Sequence, residues 1–380
     1  MRIQCTKENL IRALDSVVSI TRKGGNLPIL SYLLLIANND GIKMQGTNLE
    51  VALEFNIRGK VEEHGSAALP AKLFSDVVRG LNGVLDIQGN YSQLTIHGEK
   101  SRIVVHGLPD EEFPPIPWFS EGIKISVSAQ NMLNALKSTL YAAAHDNQRP
   151  ELQSISLMNS KNGLAIASTD GFRLSEVIIP LNDEIKESFQ ILIPLNTAQI
   201  LEKVIEKTED TVHFLIKDFE VSIQFGYNRL YSRLIQGKYP DYNAIFPQNT
   251  TFICAFPTKD LLYGIKSASL FCRPGINDIL FSISGNSCII SGKSEVTGVS
   301  ENEVEVISDG SDFKAVFNFR YVQDAVMNNG ADWIVFLATH SHQPVLFLPL
   351  DQRPDIKTLN KIKENLSIHP RKSIVMPIRQ

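Results

Sequence analysis

Long apolar runs are missing from this chain of 380 residues. Nowhere do 18 such residues follow one another, so nothing in it reads as a membrane-spanning helix. Cysteine is scarce as well. Cys5, Cys254, Cys272 and Cys288 stand far apart and form no CxxC pair. That spacing argues against a zinc site or a disulfide framework and for free thiols in a reducing compartment. Neither sign of charge dominates: 37 Lys plus Arg face 41 Asp plus Glu, a formal −4. Taken alone, this balance argues against a chain that coats nucleic acid with a basic surface. The opening MRIQCTKENLIRALDSVVSIT lacks the apolar stretch and small-residue cleavage site of a secretory leader, so a cytoplasmic location is expected. What is present is ordinary globular material, 43% hydrophobic and 21% charged, enough for two or three cores.

The chain repeats itself. Met1–Leu14, Ile123–Leu136 and Thr251–Ile265 each read as a short alternating strand, a polar or Pro-containing cap, and an amphipathic helix. The helices present the adjacent apolar pairs Leu10/Ile11, Met132/Leu133 and Leu261/Leu262, followed on the same face by Leu14, Leu136 and Ile265. A second strand-to-helix step recurs at Leu69-Pro70, Ile193-Pro194 and Phe317-Asn318, where proline suits a helix entrance because no backbone donor is lost. Phe113-Pro114 and Tyr239-Pro240 recur at the ends of the first two copies. Between the helices lie alternating runs broken by Gly, Asn and Asp, for example 41–59, 83–108 and 211–235, which read as antiparallel hairpins. The expectation is an α+β chain of three repeated domains, about 1–122, 123–250 and 251–380, each with two helices and roughly eight strands.

Catalytic constellations are hard to find. No Gly-rich phosphate cradle follows a strand, and His340 and His342 lack a third ligand at metal spacing. Glu111-Glu112 read as solvated loop charges rather than an acid/base pair. No catalytic residue, metal or cofactor is expected. The densest polar motif is Ser168-Thr169-Asp170-Gly171-Phe172-Arg173-Leu174, which by itself reads equally well as a hairpin turn.

That motif, with Leu27-Pro28-Ile29-Leu30, Thr47-Asn48-Leu49-Glu50, Tyr239-Pro240-Asp241-Tyr242, Phe246-Pro247, Phe317-Asn318, Tyr321 and Val375-Met376-Pro377-Ile378-Arg379, resembles the sliding clamps of bacterial DNA polymerase III. The resemblance runs from residue 27 to 379 in family order. It implies a head-to-tail homodimeric ring of six DNA-clamp domains that encircles double-stranded DNA without regard to sequence and confers processivity. By resemblance, Ile103 and Val105 on one edge strand would meet Leu270 and Phe271 of the next subunit. The proposed helices with their flanks carry a net +6, against −4 for the whole chain, which leaves −10 elsewhere. Arg12, Arg22, Lys23, Lys72, Arg79, Lys137, Arg149, Lys203, Lys266 and Arg273 are the candidates for facing DNA.

The resemblance also implies a pocket for short clamp-binding peptides of the replicative polymerase catalytic subunit, the clamp loader, other polymerases and repair proteins. Its deeper part would use Leu152, Thr169, Gly171, Phe172, Arg173, Leu174, Pro240, Ile245, Val375 and Met376. Its shallower part would use Asn318, Tyr321, Pro377, Ile378 and Arg379. Arg173 is expected to lay its stem on the wall and keep its charge in water. The chain departs from the family pattern at Phe172, Ala244 and Gly275, and at Gly24, Asp146, Pro150 and Leu195 among the DNA-facing positions. Residues 351–372 form an added loop, for which a solvated insertion is favoured, although Ile356/Leu359/Ile362 permit a short amphipathic helix. The alternative reading of the whole is a repeat-built protein scaffold that never encircles DNA.

Overall fold

The computed structural model describes residues 1–21, 27–146, 149–181, 187–206, 211–247, 249–366 and 369–379. The first repeat runs β1 (Arg2–Thr6), α1 (Lys7–Val17), β2 (Tyr32–Asn38), β3 (Gly41–Thr47), β4 (Val51–Ile57), β5 (Gly59–Glu63), β6 (Gly65–Pro70), α2 (Ala71–Gly80), β7 (Val84–Asn90), β8 (Gln93–His97), β9 (Arg102–His106). The second runs β10 (Ile123–Ser128), α3 (Ala129–Thr139), β11 (Ser154–Ser160), β12 (Gly163–Thr169), β13 (Arg173–Ile179), β14 (Gln190–Pro194), α4 (Leu195–Ile205), β15 (Thr211–Lys217), β16 (Glu220–Phe225), β17 (Asn228–Arg233). The third runs β18 (Phe252–Pro257), α5 (Thr258–Ser269), β19 (Asp278–Ser284), β20 (Ser287–Ser294), β21 (Gly298–Glu305), β22 (Ile307–Ser308), β23 (Phe313–Asn318), α6 (Phe319–Met327), β24 (Trp333–Ala338), β25 (Val345–Leu350), α7 (Ile356–Glu364), β26 (Arg371–Val375). Each repeat thus opens with a strand and a helix, and places its second helix before its last three strands. The third adds α7.

Local chemistry sets the helix starts. Thr6 caps α1 by accepting from the Asn9 amide at 3.3 Å, and Asn318 caps α6 by accepting from the Arg320 amide at 3.0 Å. Pro70 and Pro257 stand at the caps of α2 and α5. The apolar stripe anticipated from spacing is buried: Leu10 and Leu14 on α1, Leu261 and Ile265 on α5.

The described chain forms two compact units, 1–133 with 196–235, and 134–195 with 236–380. These cut across the sequence repeats because strand pairing does. The first unit holds a five-stranded sheet, β5-β1-β7-β8-β9, and an eight-stranded sheet, β10-β15-β16-β17-β4-β3-β2-β6. The second holds a nine-stranded sheet, β14-β11-β12-β13-β26-β25-β24-β18-β22, and a four-stranded sheet, β21-β20-β19-β23.

Two sheets therefore contain a junction where the last strand of one repeat pairs with the third long strand of the repeat before it. At β17·β4, Arg229 lies opposite Glu54 and Leu230 opposite Leu53. At β13·β26, Glu176 lies opposite Lys372 and Ser175 opposite Ser373. The acids are 122 residues apart in sequence and both are buried. Arg229 donates to Glu54 at 2.7 Å, and the Lys372 Nζ stands 2.8 Å from the Glu176 carboxylate. An aromatic from the preceding inter-repeat linker covers each cation: the Trp118 ring centroid is 4.3 Å from the Arg229 guanidinium, and Phe246 is 4.6 Å from Lys372 Nζ. A buried ion pair contributes little net stability, but it fixes register. A one-residue slip would turn the acid to the opposite face and leave a charge unpaired, at a cost of about 3–5 kcal/mol.

Equivalent positions in the three repeats are defined by one row of paired residues. It reads Ile3–Ile87–Ile96–Ile103 in the first, Ile125–Phe214–Ile223–Leu230 in the second, and Cys254–Phe336–Phe347–Ser373 in the third. The residue before the end of each row is a cation: Arg102, Arg229 and Lys372.

Candidate functional site

The Thr169–Leu174 motif is a tight turn between β12 and β13. The Asp170 carboxylate accepts from the amides of Phe172 and Arg173, each at 2.9 Å, while the Thr169 hydroxyl donates to the Arg173 carbonyl at 2.6 Å. Gly171 takes φ +89°, a left-handed conformation that glycine adopts without strain, and no neighbour crowds it. The same Asx turn recurs at Asn48, which accepts from the amides of Glu50 and Val51, and the Ser294 hydroxyl makes the analogous turn by accepting from the amides of Val296 and Thr297.

From this turn β13 runs beside β26, so Arg173 faces Val375, and the Met376 amide donates to the Phe172 carbonyl at 2.9 Å. The tail then crosses to β23, where the Ile378 amide donates to the Val316 carbonyl at 2.7 Å. Phe172, 61% exposed, stacks on Tyr321 with ring centroids 6.4 Å apart. Thr169, Gly171, Phe172, Arg173, Tyr321, Val375, Met376 and Ile378 are thus tied together, with Leu174 buried in the same strand and Asn318 capping the helix that carries Tyr321. Pro377 is buried and Arg379 exposed at the end of the tail. Leu152 is buried at the end of the 3-10 turn Pro150–Leu152, Pro240 is half-buried, and Ile245 ends the 3-10 turn Tyr242–Ile245. No hydrogen bond or ring contact among the described residues joins these three to the cluster.

Arg173 does not keep its charge in water. Its side chain is 11% exposed and is held by Asp170 at 3.0 Å and Asp324 at 2.5 Å. Its guanidinium lies 4.7 Å from the Tyr321 centroid and 5.5 Å from that of Tyr141. With two carboxylates and two rings available, the head is better satisfied inside than in solvent. Beside it, burial pushes the Tyr321 and Tyr239 hydroxyls up from their ordinary values.

The basic candidates divide. Arg12, Lys72, Lys137, Lys203 and Lys266 are exposed on helices α1 to α5, and Arg12 and Lys203 line one 210 Å³ hollow between α1 and α4. Arg79, also on α2, pairs with Asp15. Arg149 and Arg273 lie outside the long helices and pair with Glu151 at 3.1 Å and Asp278 at 2.5 Å. Arg22 and Lys23 lie outside the described residues.

The edge-strand candidates also differ among themselves. Ile103 is half-buried on β9, but the Val105 side chain is 2% exposed and points into its own core. Leu270 is 73% exposed, and Phe271 is half-buried near Gly298 at the start of β21.

Comparisons with known proteins bear on what these features are for. The family model described as the DNA polymerase III beta subunit N-terminal domain matches residues 1–117, and its central-domain counterpart matches 126–241. The chain belongs to the DNA polymerase III beta subunit family. Beta sliding clamps are among its relatives: 25% identity to that of Staphylococcus epidermidis across 92% of this chain and 96% of the other, and 26% to that of Synechocystis over the same shares. In fold it is similar to the Pseudomonas aeruginosa sliding clamp bound to griselimycin (TM-score 0.91, 21% identity, all of both chains). It also matches the Bacillus subtilis clamp (TM-score 0.88, 22% identity, all of this chain and 99% of that one).

Membership of the beta-subunit family leaves some features of this chain that sequence reading missed. Asp324 and Tyr141, which hold Arg173, gave no motif. Glu54 and Glu176 gave one: each is an acid inside an otherwise apolar strand, at the same place in two repeats. The added loop holds an ordered helix instead of a solvated insertion. Asp355 caps α7 by accepting from the Thr358 amide at 2.8 Å, Leu359 is buried, and Lys363 donates to the Thr251 carbonyl at 3.1 Å. Its end borders a cleft of about 790 Å³ lined by Lys363, Leu366, Phe246 and Lys372, and by none of the expected pocket residues.

Proposed function

We propose that this chain is a non-catalytic sliding clamp. Two copies close head to tail around duplex DNA, each contributing three clamp domains at about 1–122, 123–250 and 251–380, in the cytoplasm. The observation that carries this reading is the pair of open strand edges. Within the chain, the last strands of the second and third repeats are paired with the third long strands of the first and second. That leaves β9, the last strand of the first repeat, and β21, the corresponding strand of the third, with one neighbour each among the described residues. Exposed edges invite pairing. A heterologous contact that joins β9 of one copy to β21 of another can repeat until it closes.

DNA held this way needs only weak, sequence-independent phosphate contacts, for which the exposed Arg12, Lys72, Lys137, Lys203 and Lys266 suffice. Retention is topological, and the mild overall acidity keeps the outside from competing for the duplex. The Phe172–Tyr321 stack, the tail from Met376 to Arg379 and the Arg173 network form the docking site for extended apolar peptides of the polymerase, the clamp loader and repair factors. Apolar side chains supply affinity there and the turn backbone supplies orientation. Sedimentation equilibrium tests the assembly: a dimer at micromolar concentration is expected, and a monomer overturns the reading.

A further inference from the structure

A cleft of about 670 Å³ opens where the tip of the β16–β17 hairpin meets α1 and the end of β4, wholly within the first compact unit. Apolar residues line part of it, among them Ile42, Phe55 and Phe225, all buried. Arg12 and Arg58 also line it, and both are exposed. Asp40, the one acid among its lining residues, is already held by Lys43 at 3.2 Å. Tyr227, at the hairpin tip, completes the lining and is 87% exposed.

The tip that carries Tyr227 is fixed to the sheet. Gly226 takes φ +56° at the first position of the two-residue turn, as a tight hairpin requires. Asn56 of β4 then holds the turn through two bonds: its amide donates to Asn228 Oδ1 at 2.8 Å, and its side-chain Nδ2 donates to the Tyr227 carbonyl. Another wall is tied similarly, by Asn9 Nδ2 of α1 donating to the Arg58 carbonyl at 2.9 Å. A ring mounted on backbone held this way can take a flat partner with little further loss of conformational freedom.

The cleft adjoins the hollow between α1 and α4, since Arg12 and Phe55 line both. Lys203, Arg12 and Arg58 thus stand along two neighbouring hollows, and an open aromatic ring stands in the second. A nucleic-acid strand with unpaired bases matches this set: cations meet its phosphates, and the ring meets the face of a base. A duplex does not match it, because stacking already covers its base faces. We propose that the cleft is a subsite for single-stranded nucleic acid, in which Arg12 and Arg58 hold phosphates and one unpaired base stacks on Tyr227. The site goes beyond the ring reading and does not depend on closure, since one copy contains all of it.

Fluorescence anisotropy of the full-length chain with a labelled oligothymidylate of about ten nucleotides tests the proposal. Tyr227→Ala is expected to weaken binding about tenfold, while Tyr227→Phe, which keeps the ring face, retains most of it. Tyr91→Ala removes another exposed hairpin tyrosine and should change nothing. Arg58→Gln should lower affinity and reduce the slope of log affinity against log salt by about 0.7. An abasic strand of the same length should respond to Arg58→Gln and be indifferent to Tyr227→Ala. Repeating the titration with oligouridylate assigns the site to DNA or to RNA, and dependence on Tyr227 with either strand supports it. No binding by the wild type, equal losses from Tyr227→Ala on the abasic and normal strands, or an equal loss from Tyr91→Ala would overturn the stacking site. Displacement of the strand by a Glu-rich peptide at lower concentration than by unlabelled oligothymidylate would overturn its assignment to nucleic acid.

Discussion

Arg173 shows why a residue's environment matters more than its type. An arginine at a turn reads as a solvated charge, yet this one is enclosed by Asp170, Asp324, Tyr141 and Tyr321. Asp324 is 151 residues away in sequence, so nothing local announces the pair. Arg173→Ala would leave two carboxylates facing an apolar wall. Because Asp324 is partly exposed, screening reduces the expected loss to about 2 kcal/mol, read as a lower thermal midpoint. Affinity for an apolar clamp-binding peptide should fall at least about tenfold by calorimetry, and Arg173→Lys should recover little because lysine cannot bridge both acids. Unchanged affinity in Arg173→Ala would remove the residue from the site. The cysteines give a second residue-scale expectation. Burial pushes the Cys5 and Cys288 thiols up to about 12 and Cys254 well above its ordinary value, while Cys272 is half-exposed. At pH 8 a thiol reagent should therefore titrate one group quickly in the native protein and four after denaturation. Two or more fast thiols would contradict the buried placements.

At the scale of elements, what could be read in the sequence was local. Apolar spacing gave α1, α3 and α5, and proline or asparagine at strand ends gave the entrances of α2, α4 and α6, because both signals act within a few residues. Strand partners were not legible. The pairing of β17 with β4 spans about 175 residues, and it is decided by Glu54 and Arg229 meeting in register rather than by any local preference. The last element, β26 with its tail, joins the site physically: it pairs with β13, and its continuation is bonded to Phe172 and Val316. Deleting Met376–Gln380 removes those bonds and part of the proposed docking site but touches neither β9 nor β21. The truncated chain should lose peptide binding in calorimetry and still sediment as a dimer. Full peptide affinity after truncation would refute the proposed docking site. α7 makes the same point from the other side: its apolar triplet was visible, but its order depends on burying Leu359 and on the long-range bond from Lys363 to Thr251.

For the whole molecule, the balance of charge conceals its distribution. The −4 total combines basic side chains on exposed helix positions with acids elsewhere, and three of the basic candidates, Arg79, Arg149 and Arg273, are already paired with carboxylates. Sliding requires weak contacts, so in the proposed ring holding comes from closure rather than from grip. The most direct measurement follows. The chain is mixed with nicked circular duplex at high salt, dialysed to low salt, and passed through a sizing column before and after the circle is cut by a single-site nuclease. Encirclement predicts that protein co-elutes with the circle and is released when the same DNA is linear. Equal retention on both forms, or on neither, would contradict it.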